Sequence, residues 1–211
     1  MLLQGEKNMN FRCAFAFLLV TLFVSGTWAQ EGPNRPEPKP VTLDSKTIAI
    51  LVLDLNARCH DPKQVCSKLT APVGDFLERA RAAGVPIIHT VSASAKGKPL
   101  GEVAAPLKRK EGEPVIYPDA FDKFEGGELQ AYLKEKGAKT LIVTGSSTNV
   151  SVLYTATTAA RIHRYNIVIP MDGVNASRRY EQEYSFHQFT VLPSEANKLF
   201  QFSNLSMITF R

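Results

Sequence analysis

The chain has 211 residues, of which 44% are hydrophobic, and its formal net charge is +5. This length and composition predict one ordinary globular domain and exclude a coiled coil or a largely disordered chain. The charge is mild and no basic helix with interleaved aromatic residues accompanies it, so we expect no nucleic-acid partner.

The N-terminal residues 1–29 predict a secretory signal peptide. Charged residues lead into an uncharged run at 13–24, and residues 25–29, SGTWA, end in a small-x-small cleavage site. The run is short for a bilayer span. An uncleaved membrane anchor is the alternative; otherwise we expect a secreted or periplasmic protein with no membrane contact after cleavage. Residues 30–45 are Pro-rich and polar and predict a linker, which leaves 46–211 as the domain.

The stretch TIAILVLD, residues 47–54, is an apolar run that ends in Asp54. Seven uncharged residues rich in Ile, Leu and Val do not alternate between two faces, so they predict a strand buried on both sides of a parallel sheet. Ligands of open α/β sheets bind outside the carboxyl ends of the strands, which makes Asp54 a candidate site residue. Capping of the following loop is the alternative role.

Two cysteines remain once the signal peptide is removed, Cys59 and Cys66, with six residues between them. In an oxidising compartment this pair predicts a disulfide that closes a small loop just after the first strand. Zinc binding with His60 and Asp61 is an alternative, although adjacent residues rarely converge on one ion. A free catalytic thiol is the third possibility, which export disfavours. We expect no metal site and no cofactor.

Helices and strands alternate along the rest of the chain. Helices are expected at residues 69–83, 129–136, 150–163 and 177–202, and strands at 85–91, 139–144, 165–171 and 207–210. Residues 92–114 form a long polar loop that is either a lid over the crevice or a solvated basic loop. The alternation predicts an α/β fold, a doubly wound parallel sheet with helices on both faces and right-handed connections.

Several polar residues follow the predicted strands directly. Asp54, the pair Thr144-Gly145 and Asp172 all end strands, so we expect them at one edge of the sheet. Ser151 falls early in the helix after Gly145, where backbone N–H groups and the positive end of the helix dipole point into the crevice. Asp172 either caps its own turn or helps to form the site.

Three stretches together resemble the isochorismatase-like hydrolases, also called the cysteine hydrolase family: TIAILVLD, VTGSSTNVSVLYTATTAA at 143–160 and NIVIPMDGVNAS at 166–177. The most specific match is the turn G-x-x-T-x-x-[nucleophile]-V, here Gly145, Thr148, Ser151 and Val152. FEGGEL at 124–129 is similar to the family's F-x-G-T-x-L, with Gly127 in place of Thr. The resemblance implies a six-stranded parallel sheet in a Rossmann-like three-layer sandwich, and a homo-oligomer.

The resemblance also implies three catalytic roles. In the family, an aspartate after the first strand acts as acid or base, a lysine before the F-x-G-T element assists, and a cysteine attacks an amide carbonyl. Asp54 matches the aspartate and Ser151 occupies the cysteine position. Tyr117 falls where the local match EPVIYP puts the lysine, with Lys123 or Lys110 as possible stand-ins.

The same resemblance indicates where a substrate binds. Asn56 follows the first strand, Phe124 opens the FEGGEL element, and Ser146, Ser147 and Thr148 form the turn in which the family carries a non-proline cis peptide that shapes an oxyanion hole. Metal ligands of the nicotinamidase type are not recognisable after the first strand.

Two functional hypotheses follow. A serine hydroxyl stays protonated at neutral pH, so Ser151 would need a base in order to act as a nucleophile. The nucleophile is not required in every family member, because family isochorismatases lack the cysteine and use the aspartate as a general acid on a vinyl ether. The first hypothesis is therefore an exported hydrolase of a small amide, ester or vinyl ether with Asp54 as acid or base. The second is a degenerate family member that binds a small molecule or a protein. A lysine or the Tyr117 hydroxyl beside Asp54 would favour the enzyme, and a crevice filled by Tyr117 or Phe121 would favour the binding protein.

Overall fold

The computed structural model describes residues 35–211. The predicted signal peptide, residues 1–29, and the first part of the predicted linker lie outside this range. Within it, no helix combines the length and the apolar character needed to cross a bilayer.

The described residues form nine strands, all paired in parallel. They are β1 (Val41–Leu43), β2 (Ile48–Leu53), β3 (Ile87–Thr90), β4 (Val115–Ile116), β5 (Thr140–Ser146), β6 (Asn166–Pro170), β7 (Val174–Asn175), β8 (Phe200–Ser203) and β9 (Ile208–Phe210). The main sheet has the order β4-β3-β2-β5-β6-β8, and β7 pairs with the end of β5. The predicted parallel α/β fold is confirmed, with seven strands rather than six, because the two residues of β7 extend the pairing of β5.

Helices cover both faces of this sheet. They are α1 (Ser67–Ala82), α2 (Glu128–Glu135), α3 (Leu153–Arg161) and α4 (Arg179–Val191). Successive residues of β2 point to opposite faces: Leu51 packs with residues of α2, α3 and α4, whereas Ile50 packs with residues of α1. All six residues of β2 are buried, as its unbroken apolar sequence predicts.

The C-terminal region differs from the prediction. The helix expected at 177–202 ends at Val191, because Pro193 lacks an N–H group and favours an extended conformation in the residue before it. Phe200–Ser203 then forms the edge strand β8 beside β6. The last expected strand exists as Ile208–Phe210, but it pairs with β1 in a separate two-stranded sheet.

The described part of the predicted linker lies against the domain. Val41–Leu43 pairs with β9, the Lys39 N–H donates to the Phe202 carbonyl at 2.9 Å, and the Ser203 hydroxyl donates to the Lys39 carbonyl at 2.8 Å. These contacts make residues 39–43 part of the folded domain rather than a spacer.

The long loop at 92–114 is anchored at its C-terminal end by Glu113. Arg81 of α1 donates to both carboxylate oxygens of Glu113, at 2.6 and 3.0 Å, and His89 Nε2 lies 3.1 Å from Oε2. Burial of this carboxyl would raise its pKa, but the hydrogen bonds from His89, Arg81 and the Lys110 backbone outweigh burial and lower it to about 2. Burial lowers the pKa of His89 despite the neighbouring carboxylate.

We expect Glu113→Gln to lower the free energy of unfolding by about 3 kcal/mol at neutral pH, because it removes the two charge-assisted hydrogen bonds to the partly buried Arg81 and leaves it only the more exposed Glu78 as a counter-charge. The pKa of Glu113 is about 2 in the folded protein and 4.5 in the unfolded chain. The carboxylate therefore stabilises the fold fully at pH values above 4.5, and this contribution is lost as the pH falls towards 2. The difference between variant and natural protein should therefore shrink below about pH 4.5 in urea unfolding. Glu111→Gln, an exposed change in the same loop, is the matched control; a difference that is constant from pH 7 to pH 2 would contradict this role of Glu113.

Candidate active site

Asp54 follows β2 at the carboxyl edge of the sheet, with φ at 57°. The Ser151 hydroxyl donates to its Oδ2 atom, and Lys123 Nζ lies 3.0 Å from the same oxygen. The other oxygen, Oδ1, is buried and has no hydrogen-bond partner among residues 35–211. Residues from three separate segments of the chain therefore meet on one carboxylate.

Lys123, one of the two possible stand-ins named from the sequence, supplies the cation beside Asp54. Its side chain is 2% exposed, and Nζ also donates to the Ala120 carbonyl at 3.2 Å. The backbone N–H of Lys123 donates to Thr155 Oγ1 of α3 at 3.1 Å, which fixes the loop against that helix. The signal in the sequence was its place directly before Phe124 of the FEGGEL element.

Tyr117 does not take the place of this lysine. Its ring lies 5.4 Å from Lys96 Nζ and lines a separate surface depression with the polar loop at 97–109. Lys123, and not Tyr117, therefore lies beside Asp54. The residues between β4 and α2 form an irregular loop, and the sequence match did not show which residue of this loop occupies the position of the family's lysine.

The turn after β5 brings Ser151 to Asp54. Gly145 has φ at 131°, and a Cβ atom there would lie 2.1 Å from the Leu53 carbonyl oxygen, so only glycine allows β5 to approach the end of β2 this closely. The peptide bond between Ser146 and Ser147 is cis. A π-helical turn, Thr148–Val152, then leads into α3, and it holds Ser151 with 3% of its surface exposed.

A cavity of about 640 Å³ opens in front of this carboxylate. The expected site residues that line it are Asp54, Asn56, Ser146, Ser147 and Ser151. Lys123 and Phe121, which the sequence analysis weighed for the site, also line it, together with residues that it did not assign, among them Arg58, Asp119 and Val150. The crevice is therefore open, and Phe121 forms part of its wall without filling it.

Two expected substrate-binding residues lie outside this wall. Thr148 is fully buried and donates to Gln182 Oε1 at 2.9 Å. Phe124 belongs to the core, with its ring 4.6 Å from the His163 ring. Phe121, which is 64% exposed, provides the aromatic surface that was expected of Phe124.

Two further polar atoms of the cavity residues lack partners within the described range. The Oγ atom of Ser146 and the Oδ1 atom of Asn56 are both buried and make no hydrogen bond there. Together with Asp54 Oδ1 they form a set of polar groups that a bound molecule can satisfy, since buried polar groups in proteins are nearly always paired.

The loop after Asp54 is closed by a disulfide. The sulfur atoms of Cys59 and Cys66 are bonded, with their Cα atoms 5.3 Å apart. His60 Nε2 accepts a hydrogen bond from the Ala105 N–H at 3.0 Å. The zinc alternative would need the Cys59 and Cys66 sulfurs and a His60 ring nitrogen as metal ligands, but these atoms form the disulfide and a backbone hydrogen bond instead. Residues 35–211 contain no cluster of three side chains suited to a metal.

Asp172 has a structural role. Its Oδ1 atom accepts a hydrogen bond from the Leu205 N–H at 2.7 Å, which ties the end of β6 to the turn before β9. It does not line the cavity.

We expect Lys123→Met to lower the free energy of unfolding by about 3 kcal/mol, because it leaves the partly buried Asp54 carboxylate without its counter-charge. The same change should cost much less in an Asp54→Asn background, where no carboxylate remains. Urea unfolding of the two single variants and the double variant measures this coupling. An equal cost in both backgrounds would show that Lys123 stabilises the fold independently of Asp54.

The chain is similar to known proteins in its family match, in its sequence and in its fold. The isochorismatase domain family matches residues 49–196. The secreted isochorismatase effector Isc1 of Verticillium dahliae is 27% identical, over 64% of this chain and 76% of Isc1. The ureidoacrylate amidohydrolase RutB of Caulobacter vibrioides is 25% identical, over 57% of this chain and 72% of RutB. The structure of N-carbamoylsarcosine amidase from Thermoplasma acidophilum shares the fold, with a TM-score of 0.64 and 19% identity over 75% of this chain and 96% of the amidase.

Proposed function

Because the chain belongs to the isochorismatase family, we propose that it hydrolyses a small molecule and that Asp54 transfers the proton in this reaction. The observation that carries the proposal is the meeting of Ser151 and Lys123 on one oxygen of Asp54, beside an open cavity of about 640 Å³. A lysine within hydrogen-bond reach of Asp54 was the feature expected of an enzyme, and a filled crevice was the feature expected of a binding protein. The names of the relatives RutB and Isc1 both contain an enzyme activity, amidohydrolase and isochorismatase, which supports an enzyme over a binding protein.

In the proposed reaction the hydroxyl oxygen of Ser151 attacks the carbonyl carbon of an ester or amide. Its proton passes to Asp54 Oδ2, which already accepts the hydroxyl hydrogen bond. The tetrahedral intermediate breaks when the protonated Asp54 returns that proton to the leaving alcohol or amine, which leaves an acyl group on Ser151. Asp54 then deprotonates a water molecule that attacks the acyl carbon, and it returns this proton to the Ser151 oxygen as the bond to the acyl group breaks, which releases the acid and restores the hydroxyl.

The surrounding groups stabilise the charges that this reaction develops. Lys123 Nζ, 3.0 Å from Oδ2 and itself buried, keeps the carboxylate charge balanced and oriented. We propose that the negative charge on the carbonyl oxygen is stabilised by the turn at Ser146 and Ser147 and by the backbone N–H of Ser151. Ser151 lies near the start of α3, where the helix dipole is positive.

A vinyl ether is the second candidate substrate. It is favoured by the 27% identity to Isc1, which is called an isochorismatase, and by the resemblance to family isochorismatases that lack the cysteine. In that reaction a protonated Asp54 would donate its proton to the vinyl carbon, and water would add to the resulting oxocarbenium ion and return a proton to Asp54. The hemiketal or hemiacetal so formed would then break at its ether bond into a carbonyl compound and an alcohol. Ser151 would then only orient the carboxyl group.

We further propose that the protein acts outside the cell in which it is made. The predicted signal peptide at 1–29, the Cys59–Cys66 disulfide and the secreted relative Isc1 support this location. The family resemblance also leads us to propose a homo-oligomer, which light scattering on the purified protein tests.

The experiment that tests the proposed function is a turnover screen of the purified protein against small amides, esters and vinyl ethers. We expect hydrolysis in one of these three classes, and the class identifies the reaction. Absence of turnover in all three, with the natural protein correctly folded, would contradict the hydrolase and favour a family member that only binds its ligand.

A further inference from the structure

We infer that Arg58 recognises a carboxylate group of the molecule that binds in the cavity. This inference deepens the proposed function and rests on it for the identity of the site. Arg58 lies on the short 3₁₀ helix Ala57–His60, directly after β2, and lines the cavity. Its guanidinium group makes no hydrogen bond or ion pair with any residue in the range 35–211.

The cavity wall carries two acidic and two basic side chains, and one of the basic ones is free to pair with an anionic group of a ligand. Lys123 and Asp54 neutralise each other through the 3.0 Å contact, so Arg58 is the basic residue of the wall that remains without a counter-charge. Guanidinium presents five donors in a planar fork that matches a carboxylate. Asp119 also lines the cavity; it is exposed, as Arg58 is, and makes no ion pair with Arg58.

The backbone that carries Arg58 is fixed on both sides. Cys59, the next residue, is 2% exposed and bonded to Cys66. The Ala57 N–H donates to the Glu102 carbonyl at 2.8 Å, and His60 accepts from the Ala105 N–H at 3.0 Å. These contacts hold a 3₁₀ turn against the long loop at 92–114. A fixed backbone reduces the conformational freedom that Arg58 must lose when it binds.

The cavity also contains an apolar surface, to which Phe121 and Val150 contribute. A ligand that combines an apolar body with one carboxylate fits both parts of this wall. Benzoate and benzamide are therefore suitable probes, because they share one shape and differ in charge.

The test is the affinity of the full chain for benzoate and benzamide by calorimetry. We expect the natural protein to bind benzoate about tenfold more tightly than benzamide, as one exposed charge-assisted interaction provides. Arg58→Gln should remove this preference by weakening benzoate alone, and Arg58→Lys should keep part of it. Asp119→Asn should bind benzoate at least as tightly as the natural protein.

Lys63→Gln is the matched control, since it removes one exposed positive charge from the same disulfide-closed loop without touching the cavity wall. It should keep the natural preference for benzoate. No preference in the natural protein, an unchanged preference in Arg58→Gln, or an equal loss in Lys63→Gln would overturn the inference. All of these binding measurements are made in a Ser151→Ala background, because the proposed reaction would otherwise convert benzamide to benzoate. Failure of the hydrolase proposal in the screen and failure of this assignment therefore give different results.

Discussion

Asp54→Asn should lower kcat/KM of the hydrolysis by about a thousandfold or more, because the amide of asparagine cannot take up and return the proton. The change also removes the counter-charge of the buried Lys123, so we expect the variant to be less stable by about 3 kcal/mol but still folded. Asp54 has φ at 57°, a conformation that asparagine adopts more readily than most residues, and the side chain keeps its size. The measurement is steady-state kinetics on the substrate class found in the screen.

The control for this change is Asp75→Asn, which alters an exposed aspartate of α1 in the same chemical way. It should keep the natural rate. Unfolding curves of both variants should show that each is folded at the assay temperature. An Asp54→Asn protein that is folded and hydrolyses the substrate within a few-fold of the natural rate would remove Asp54 from the mechanism.

Ser151→Ala should lower the rate of ester or amide hydrolysis by at least about a thousandfold, since it removes the attacking oxygen. Ser151→Cys should hydrolyse amides faster than the natural protein, because a thiol ionises far more easily than an alcohol beside a helix N-terminus and is the stronger nucleophile. Both variants change one buried atom group beside Asp54 and should fold. Rates on matched ester and amide substrates measure the effect.

This pair of variants also separates the two candidate reactions. A vinyl ether substrate needs no attack by Ser151, so Ser151→Ala would then keep most of the activity and Asp54→Asn would still lose it. Mass spectrometry of rapidly quenched protein provides an independent readout, because an acyl group on Ser151 forms only in the nucleophilic reaction. A full rate in Ser151→Ala on an ester would contradict the serine mechanism.

The sequence predicted the central part of this site because buried parallel strands have a simple pattern. The run TIAILVLD is apolar on both faces and ends at a carboxylate, and the topology of a parallel sheet then places Asp54 and the turn after β5 at one edge. β2 and β5 lie side by side, with Leu53 paired to Gly145. The meeting of Asp54 and Ser151 follows from those two facts.

The residues between β4 and α2 were harder to predict for a physical reason. They form an irregular loop, so no helical or strand period indicates which side chains point to the cavity. Lys123 reaches Asp54 where Tyr117 was expected, and Phe121 lines the cavity where Phe124 was expected. These positions depend on tertiary contacts such as the hydrogen bond from Lys123 N–H to Thr155, which a local pattern does not contain.

The C-terminal error has a different origin. Residues after α4 contain Phe and Leu at spacings that fit a helix, but Pro193 stops the helix and β6 offers an open edge. Pairing of Phe200–Ser203 with that edge buries Phe200. It also satisfies backbone N–H and C=O groups of β6 that would stay unpaired at the sheet edge if these residues continued as a helix. Local propensity therefore yields to the tertiary environment here.

The most direct test of Asp54 as the proton-transferring group is a single-turnover experiment with the protein in excess over substrate. Substrate binding and product formation are followed in the same reaction for the natural protein and for Asp54→Asn. We expect both proteins to bind the substrate, with product formed only by the natural one. Product formation at equal rates by the two proteins would contradict the central claim.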